Sequence, residues 1–292
     1  MALTRLIKQH VSRCVLGMIM LIPVYGAMPI EYKSPMGDEA WKVSGNRLRC
    51  GLSITIPEYG IGYFEQYAAR PPHFILDKWQ KVEETTPIVL MNLPPVWRAG
   101  LSPVLVTKNN LSTGEFSLYL TRDVTLKMLN LLNQGHVASF QYISEEGNPV
   151  KVMLSPIKFK AMYATYVRCV GKLLPFDFES VEKTVFHFGI EGDDVAEEDR
   201  DQLQRIAEYS KADPNVKYIE VAGYTDDSGR KSINNAISEY RAKAVSQYLM
   251  DHGVNEKLLK ITWFGPKNPL MSNETDEGRQ ANRRVEVTIH IK

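Results

Sequence analysis

The hydrophobic pattern of this chain changes near residue 175, and that change constrains the fold more than any other feature. Beyond it, short apolar runs alternate with segments of helical periodicity, which predicts strands at 184–188, 216–222, 259–264 and 285–291 and helices at 197–211 and 234–251. Every second residue from Val285 to Ile291 is apolar, which is typical of a strand with one buried face. Strands that alternate with helices form a sheet covered by helices. The second half is therefore predicted to be an α/β sandwich of βαβαββ type.

The first half is predicted to be mainly antiparallel β. Apolar runs bounded by Pro and Gly indicate strands at 48–56, 60–67, 73–76, 88–92, 115–120, 137–143 and 150–154. Leucine spacing predicts a helix over 122–134, segment 159–170 fits a helix or a long strand, and residues 28–45 are expected to be irregular. A membrane barrel is disfavoured because prolines interrupt the candidate strands and a leucine-rich helix has no place in a barrel wall.

Together the two halves predict an α+β protein of two domains, which suits a length of 292 residues. Segment 171–183 contains Pro175 and several acidic residues and is expected to be the linker. The first domain would then cover residues 28–174 and the second residues 175–292.

Residues 1–27 have the features of an export signal. Basic residues precede an apolar run at 15–24, and small residues follow at positions 26 and 27, where cleavage would be plausible. The apolar run is shorter than the roughly 20 residues that a membrane-spanning helix needs. We therefore predict export with no membrane span, and an uncleaved anchor is the alternative.

Charge and motif content argue against several classes of function. The chain has 35 basic and 34 acidic residues and a formal charge of +1, whereas broad binding of nucleic acid or anionic lipid needs concentrated Lys and Arg. The histidines lack the spacing of a zinc protease, and no GxSxG motif is present. We predict no catalytic residue, no metal and no cofactor.

The cysteines agree with export. Cys14 would leave with the signal, so that Cys50 and Cys169 remain. An even pair in an exported protein is most simply one disulfide, and two buried thiols are the alternative.

Segment 221–241 carries the main candidate site. It predicts a strand, a polar loop with Asp226 and Ser228, and a helix with Asn234 and Arg241. Asn234 and Arg241 lie two helical turns apart and share one face. An Asp accepts hydrogen bonds from an ammonium group and the planar Arg fork suits a carboxylate, so a zwitterionic ligand would match. An internal Asp226–Arg241 salt bridge is the alternative.

Three motifs of the second half resemble the OmpA-like peptidoglycan-binding domain. They are YIEVAGYTDDSG at 218–229, the NxxIS and RA pattern of 234–242, and EGRQANRRVEV at 277–287. The resemblance implies non-covalent binding of the diaminopimelate of the wall peptide, with Asp226 and Arg241 at its amino and carboxyl groups. Carried over by position, Ser228, Asn234 and Arg283 would lie around them.

The first half resembles the N-terminal domain of the MotY family of flagellar motor proteins. The resemblance rests on Cys50, on LPPVWRAG at 93–100 and on segment 163–174 around Cys169. In that family the domain precedes the same type of wall-binding module, and the two cysteines are paired. The resemblance implies a periplasmic ring (the T-ring) around the basal body that helps install stator units, with a MotX-like protein as partner.

Trp97 and Arg98 are the candidate partner contacts of the first half, because both residue types are favoured at interfaces. The alternative is a proline-rich loop that buries Trp97 in its own core. The resulting prediction is a non-enzymatic periplasmic scaffold that binds peptidoglycan and docks on the basal body and stator units. A general envelope tether unrelated to motility and a wall-modifying enzyme are the alternative functions.

Overall fold

Two hydrophobic cores organise the part of the chain that the structure describes. The computed structural model describes residues 28–34, 41–95, 97–98, 100–190, 192 and 194–292, so the predicted export signal at 1–27 lies outside the described residues. None of the helices found within these ranges combines the length with the apolar character that crossing a bilayer requires.

The first core lies between two five-stranded sheets. The strands that build them are β1 (Ile30–Lys33), β2 (Trp41–Gly45), β3 (Arg49–Ile56), β4 (Gly60–Tyr67), β5 (His73–Lys78), β6 (Thr86–Leu93), β7 (Val104–Leu111), β8 (Leu118–Leu120), β9 (Val137–Ile143) and β10 (Pro149–Leu154). One sheet has the order β1-β10-β9-β6-β7 and the other the order β2-β3-β4-β5-β8. The strands pair antiparallel, except that β1 runs parallel to β10. The prediction of a mainly antiparallel β first half is confirmed.

Aromatic side chains from both sheets meet in the first core. Phe74 of β5 stacks on Phe140 of β9 with 5.7 Å between the ring centroids, and Phe64 of β4 lies 4.7 Å from Phe74. All three rings are excluded from solvent. Burial of a side chain of this size stabilises a fold by about 1.5–3 kcal/mol, so these contacts hold the sheets face to face.

Two helices complete the first half, α1 (Arg122–Asn133) and α2 (Phe159–Val170). Segment 159–170, for which the sequence predicts either a helix or a long strand, is helical. Phe159 at the start of α2 packs edge-on against Trp41 of β2, with ring centroids 4.9 Å apart. The Trp41 indole N–H donates to the Ser155 carbonyl oxygen at 2.9 Å, so the polar group of this buried ring has a hydrogen-bond partner.

A disulfide joins α2 to β3. Cys50 and Cys169 are bonded, which confirms the predicted disulfide. Gly45 of β2 lies against this bond, since a Cβ at that position would come within 2.7 Å of Cys169 Sγ and 2.5 Å of the Arg49 carbonyl oxygen. Strand β2 therefore reaches the disulfide only because residue 45 has no side chain.

The second half is a four-stranded sheet covered by helices. Its elements are β11 (Lys183–His187), α3 (Arg200–Ala212), β12 (Val216–Gly223), α4 (Lys231–Asp251), β13 (Leu259–Trp263), α5 (Asp276–Asn282) and β14 (Arg284–Ile291). The strand order is β11-β14-β12-β13, with β12 and β13 parallel and the other pairs antiparallel. Apolar residues of α3 and α4 share a buried cluster with Val285, Val287 and Ile289 of β14. The βαβαββ prediction is confirmed, with the short helix α5 added before the last strand.

The two halves share a packed joint. Leu48 and Ala68, which belong to the first half, pack into the core of the second. The Arg47 side chain pairs with Glu208 of α3 at 2.9 Å, and Arg70 pairs with Asp177 at 3.0 Å. Contacts of both apolar and ionic kind therefore bind one half to the other.

Segment 171–183, expected to be a linker, is part of that joint. Leu174, Phe176 and Val181 are buried in the second core, and the Leu174 N–H donates to the Arg47 carbonyl oxygen at 2.8 Å. The proline and the acidic residues of this segment suggested exposed chain, but apolar residues between them are spaced so that they face the core.

Three further elements differ from the predictions. The expectation of irregular structure over 28–45 is wrong for its described residues, because β1 and β2 gain hydrogen bonds from β10 and β3 that local composition does not reveal. Strand β7 was not predicted, because it is an edge strand with mostly exposed residues and no alternating pattern. Helix α5 was not predicted either, since seven residues are too few for a periodic signal.

Substitution of Gly45 tests the close approach to the disulfide. We expect Gly45→Ala to lower the free energy of unfolding by about 1–3 kcal/mol, because the added methyl overlaps Cys169 Sγ and the Arg49 carbonyl group. Gly51→Ala is the matched control in β3, where a Cβ would find no atom closer than 3.4 Å. Urea unfolding without reductant measures both, and equal losses in the two variants would contradict the proposed contact.

Candidate functional site

Loops at one end of the second sheet enclose a cleft of about 850 Å³. Strands β11 and β12 end there and β14 begins there, because His187 pairs with Arg284 and Gly223 pairs with Val285. The loop from β12 to α4, the first turns of α4 and helix α5 form the walls. The lining includes all five residues that the sequence pointed to, namely Asp226, Ser228, Asn234, Arg241 and Arg283.

Asp226 is a buried carboxylate paired with Arg283. The two residues are 7% and 9% exposed, and Arg283 Nη1 donates to Asp226 Oδ2 at 2.7 Å. The Ser228 N–H donates to Asp226 Oδ1 at 3.0 Å. This pair joins the loop after β12 to the residue before β14. The ion pair of Asp226 is thus made with an arginine of the third sequence motif.

Arg241 lies on α4 and holds the segment that follows β11. Its side chain is 1% exposed, with Nε donating to the Gly192 carbonyl oxygen at 2.9 Å and Nη2 to the Gly189 carbonyl oxygen at 2.7 Å. The guanidinium carbon also lies 5.3 Å from the centroid of the Phe188 ring. An arginine is not deprotonated in proteins, so these contacts fix a full positive charge at the cleft wall.

Asn234 and Ser228 shape the loop between β12 and α4. Asn234 is 3% exposed, and its side-chain Nδ2 donates to the Asp226 carbonyl oxygen at 3.3 Å. Ser228 is exposed and contributes its backbone N–H to the Asp226 carboxylate, which leaves its hydroxyl at the surface of the cleft. Both residues therefore position Asp226, one through its backbone carbonyl group and one through its carboxylate.

The structure adds lining residues that sequence reasoning missed. The Thr225 hydroxyl is buried and finds no hydrogen-bond partner among the described residues. Ile190 and Ile233 line the cleft while 75% and 50% exposed, which gives it an apolar rim. Thr225 could have been suspected from its place beside Asp226, but Ile190 lies in a loop where no periodic pattern marks a residue.

Among the residues that the structure describes, the charges that line this cleft are balanced. Its acidic residues are Asp226, Asp276 and Glu277, and its basic residues are Arg241, Arg279 and Arg283. Such a cleft suits a ligand that carries both a positive and a negative group. Within the described ranges, no cluster of His, Cys, Asp and Glu has the arrangement of a metal site.

Trp97 and Arg98 lie outside this cleft, on the loop between β6 and β7. Trp97 is 73% exposed, so the alternative in which the loop buries this ring in its own core is wrong. The ring lies over the Gly135 backbone, where a Cβ would sit 3.4 Å from the indole. Burial and the nearby Arg98 charge lower the pKa of His136, whose Nδ1 lies 2.8 Å from Asn92 Nδ2.

Family comparisons divide the chain at the same place as its two cores. Residues 32–175 match the MotY N-terminal domain, and residues 187–283 match the OmpA family. The chain combines a MotY N-terminal domain with an OmpA-family domain. It is similar to the sodium-type flagellar protein MotY of Vibrio parahaemolyticus, with 27% identity over 270 residues that cover 91% of this chain and 92% of that protein.

Other relatives share the OmpA-family domain alone. The peptidoglycan-binding protein ArfA of Mycobacterium tuberculosis is 39% identical over 103 residues, which cover 35% of this chain and 31% of that protein. Among solved structures, the C-terminal domain of Helicobacter pylori MotB is 29% identical, with a TM-score of 0.35, and the match covers 37% of this chain and 85% of that one.

Arg241 is expected to be needed for the fold as well as for the cleft. Arg241→Ala removes a buried side chain and its charged hydrogen bonds to the segment after β11, so the free energy of unfolding should fall by at least about 2 kcal/mol. Lys243→Ala is the control on the same helix, where an exposed pair with Glu239 should contribute little to stability. Chemical denaturation measures both, and an Arg241→Ala protein as stable as the control would refute the assignment.

Proposed function

We propose that this chain is a periplasmic, non-enzymatic scaffold of the flagellar motor. Residues 175–292 bind peptidoglycan without a covalent bond, and residues 28–174 dock on the basal body, its stator units and a MotX-like partner. The observation that carries the proposal is the order of a MotY N-terminal domain and an OmpA-family domain along one chain. The charge-balanced cleft in the second half supports the ligand part of it.

The ligand that fits the cleft is the diaminopimelate of the wall peptide, which carries both an ammonium group and a carboxylate group. A carboxylate offers about four lone-pair sites. In Asp226 the Ser228 N–H and Arg283 use one on each oxygen, so each oxygen retains a site for the ligand ammonium. Arg241 supplies the positive charge for the ligand carboxylate, with its guanidinium held in place by backbone carbonyl groups.

The first half offers an exposed apolar surface for protein partners. Trp97 and Leu101 of the loop before β7 and Val104 at its start are 73%, 51% and 53% exposed, and Arg98 lies beside them. Strand β7 is also the outer strand of its sheet. Exposed tryptophan and arginine residues are favoured anchors at interfaces, which supports Trp97 and Arg98 as partner contacts.

Asp226→Asn tests the cleft. The amide keeps the size of the side chain but removes the charge that would bind an ammonium group. We expect cosedimentation of the purified exported chain with isolated sacculi to weaken at least tenfold, since loss of a buried charge partner costs about 2–5 kcal/mol. Asp227→Asn is the matched control, because residue 227 is the exposed neighbour and lies outside the cleft lining.

The thermal unfolding midpoint of each variant shows whether a loss of binding reflects a loss of fold. Wild-type binding by a folded Asp226→Asn protein would disprove the role of Asp226.

Trp97→Ala tests the docking surface. We expect the variant to lose copurification with flagellar basal bodies while it still binds sacculi, because the substitution leaves the cleft of the second half intact. Tyr240→Ala, which removes another exposed ring (64%) from the second half, should keep both properties. Unchanged copurification of Trp97→Ala would contradict the assignment of this surface.

Deletion of the gene separates the motor scaffold from the other functions. Loss of swimming with loss of stator assembly is the expected result, and normal swimming would favour a general envelope tether. Release of soluble muropeptides by the purified protein would favour a wall-modifying enzyme.

A further inference from the structure

A second cleft, of about 640 Å³, lies in the first half of the chain. It is formed by the turn between β3 and β4, the loop between β5 and β6 and the hairpin between β9 and β10. Its volume falls within the range of about 300–1,000 Å³ that is usual for ligand sites. It shares no lining residue with the cleft of the second half.

Four aromatic side chains line this second cleft. Tyr32 and Tyr59 are in contact, with ring centroids 5.1 Å apart, while Tyr142 contributes a third ring. Trp79 is 62% exposed. The Lys78 ammonium already lies 5.8 Å from the centroid of Tyr142, so this wall of the cleft accommodates a cation against an aromatic face.

Tyr59 is held in the cleft by an unusual turn. Glu58, the preceding residue, has φ of 59°, in the left-handed region that non-glycine residues seldom adopt. The Tyr59 carbonyl oxygen accepts a hydrogen bond from the Trp79 N–H at 3.0 Å. Tyr59 is 3% exposed, and its buried hydroxyl interacts with the hydroxyl of Tyr142.

Carboxylates surround the aromatic side chains. The acidic lining residues are Glu58, Glu83, Glu145 and Glu146, against two lysines, Lys78 and Lys81. None of the four carboxylates forms an ion pair with a described residue. A hydrogen bond from the Ser144 side chain lowers the pKa of Glu146. The cleft therefore combines excess negative charge with aromatic faces.

We propose that this second cleft binds a lysine or arginine side chain from an extended segment of a partner protein. Aromatic faces and carboxylates both attract a cation. Strand β1 contributes Ile30 and Tyr32 to the lining and is the outer strand of its sheet, so an extended segment can lie along it. The proposal does not depend on peptidoglycan binding or on motility.

Titration of the exported chain with small probes tests the proposal. The probes are N-acetyl-lysine amide and N-acetyl-arginine amide, with N-acetyl-norleucine amide as the neutral analogue of the lysine probe. Amide resonances of Tyr59, Trp79 and Glu145 should shift with the two cationic probes. The neutral analogue should bind at least tenfold more weakly. Equal binding of the neutral probe, or no shift at these residues, would overturn the proposal.

Variants separate the aromatic and ionic contributions. Trp79→Ala and the double variant Glu83→Gln/Glu145→Gln should each weaken binding of the lysine probe severalfold without unfolding, because all three side chains are exposed. Tyr240→Ala and Glu197→Gln are the matched controls on the exposed surface of the second half. A chitooligosaccharide that shifts the same resonances more strongly than the cationic probes would assign the cleft to a glycan instead and refute the proposal.

Discussion

The buried ion pair between Asp226 and Arg283 is the interaction on which the cleft of the second half depends. It joins two segments that lie 57 positions apart in the chain, one after β12 and one before β14. Two charges removed from water are tolerated because each neutralises the other, and removal of one leaves the second buried without compensation. Ser228, Asn234 and Gln280 then fix the two partners through hydrogen bonds. The cleft is therefore formed before a ligand arrives, which lowers the entropic cost of binding.

The two clefts of the molecule differ in their electrostatics. In the second half the acids and arginines of the described lining balance, and Asp226, Arg241 and Arg283 are buried. In the first half the carboxylates are exposed and outnumber the lysines. Exposed charges are screened by salt far more than buried ones. Ligand binding in the first half should therefore depend more strongly on ionic strength than ligand binding in the second half.

The sequence predicted the fold well where local pattern and tertiary environment agree. Helix α1, strands β4 and β9, and the alternating strand β14 follow directly from the spacing of apolar residues. Strands β1 and β2 were not predicted, because hydrogen bonds to β10 and β3 form them and their own composition shows no strand pattern. The packing of Leu174 and Phe176 in segment 171–183 was not predicted for a related reason, since both face a core built mostly by distant residues.

The candidate site was predicted in its residues but not in its connections. Position along α4 placed Asn234 and Arg241 together, and motif resemblance added Arg283. Only three-dimensional contacts show that Asp226 pairs with Arg283, while Arg241 is bound to carbonyl groups after β11. A side chain seven positions away on the same helix is constrained by helix geometry, whereas a loop carbonyl group fifty positions away is not. Ile190 at the apolar rim was not predicted for the same reason, because it lies in a loop.

The joint between the halves has a mechanical consequence. Leu48 and Ala68 pack in the core of the second half, and three residues of the connecting segment, Leu174, Phe176 and Val181, are buried there too. Ion pairs of Arg47 and Arg70 flank these apolar contacts. A force on one half is therefore transmitted to the other through packed side chains and does not first extend a flexible linker. Separation of the two halves therefore requires the disruption of packed side-chain contacts in the joint.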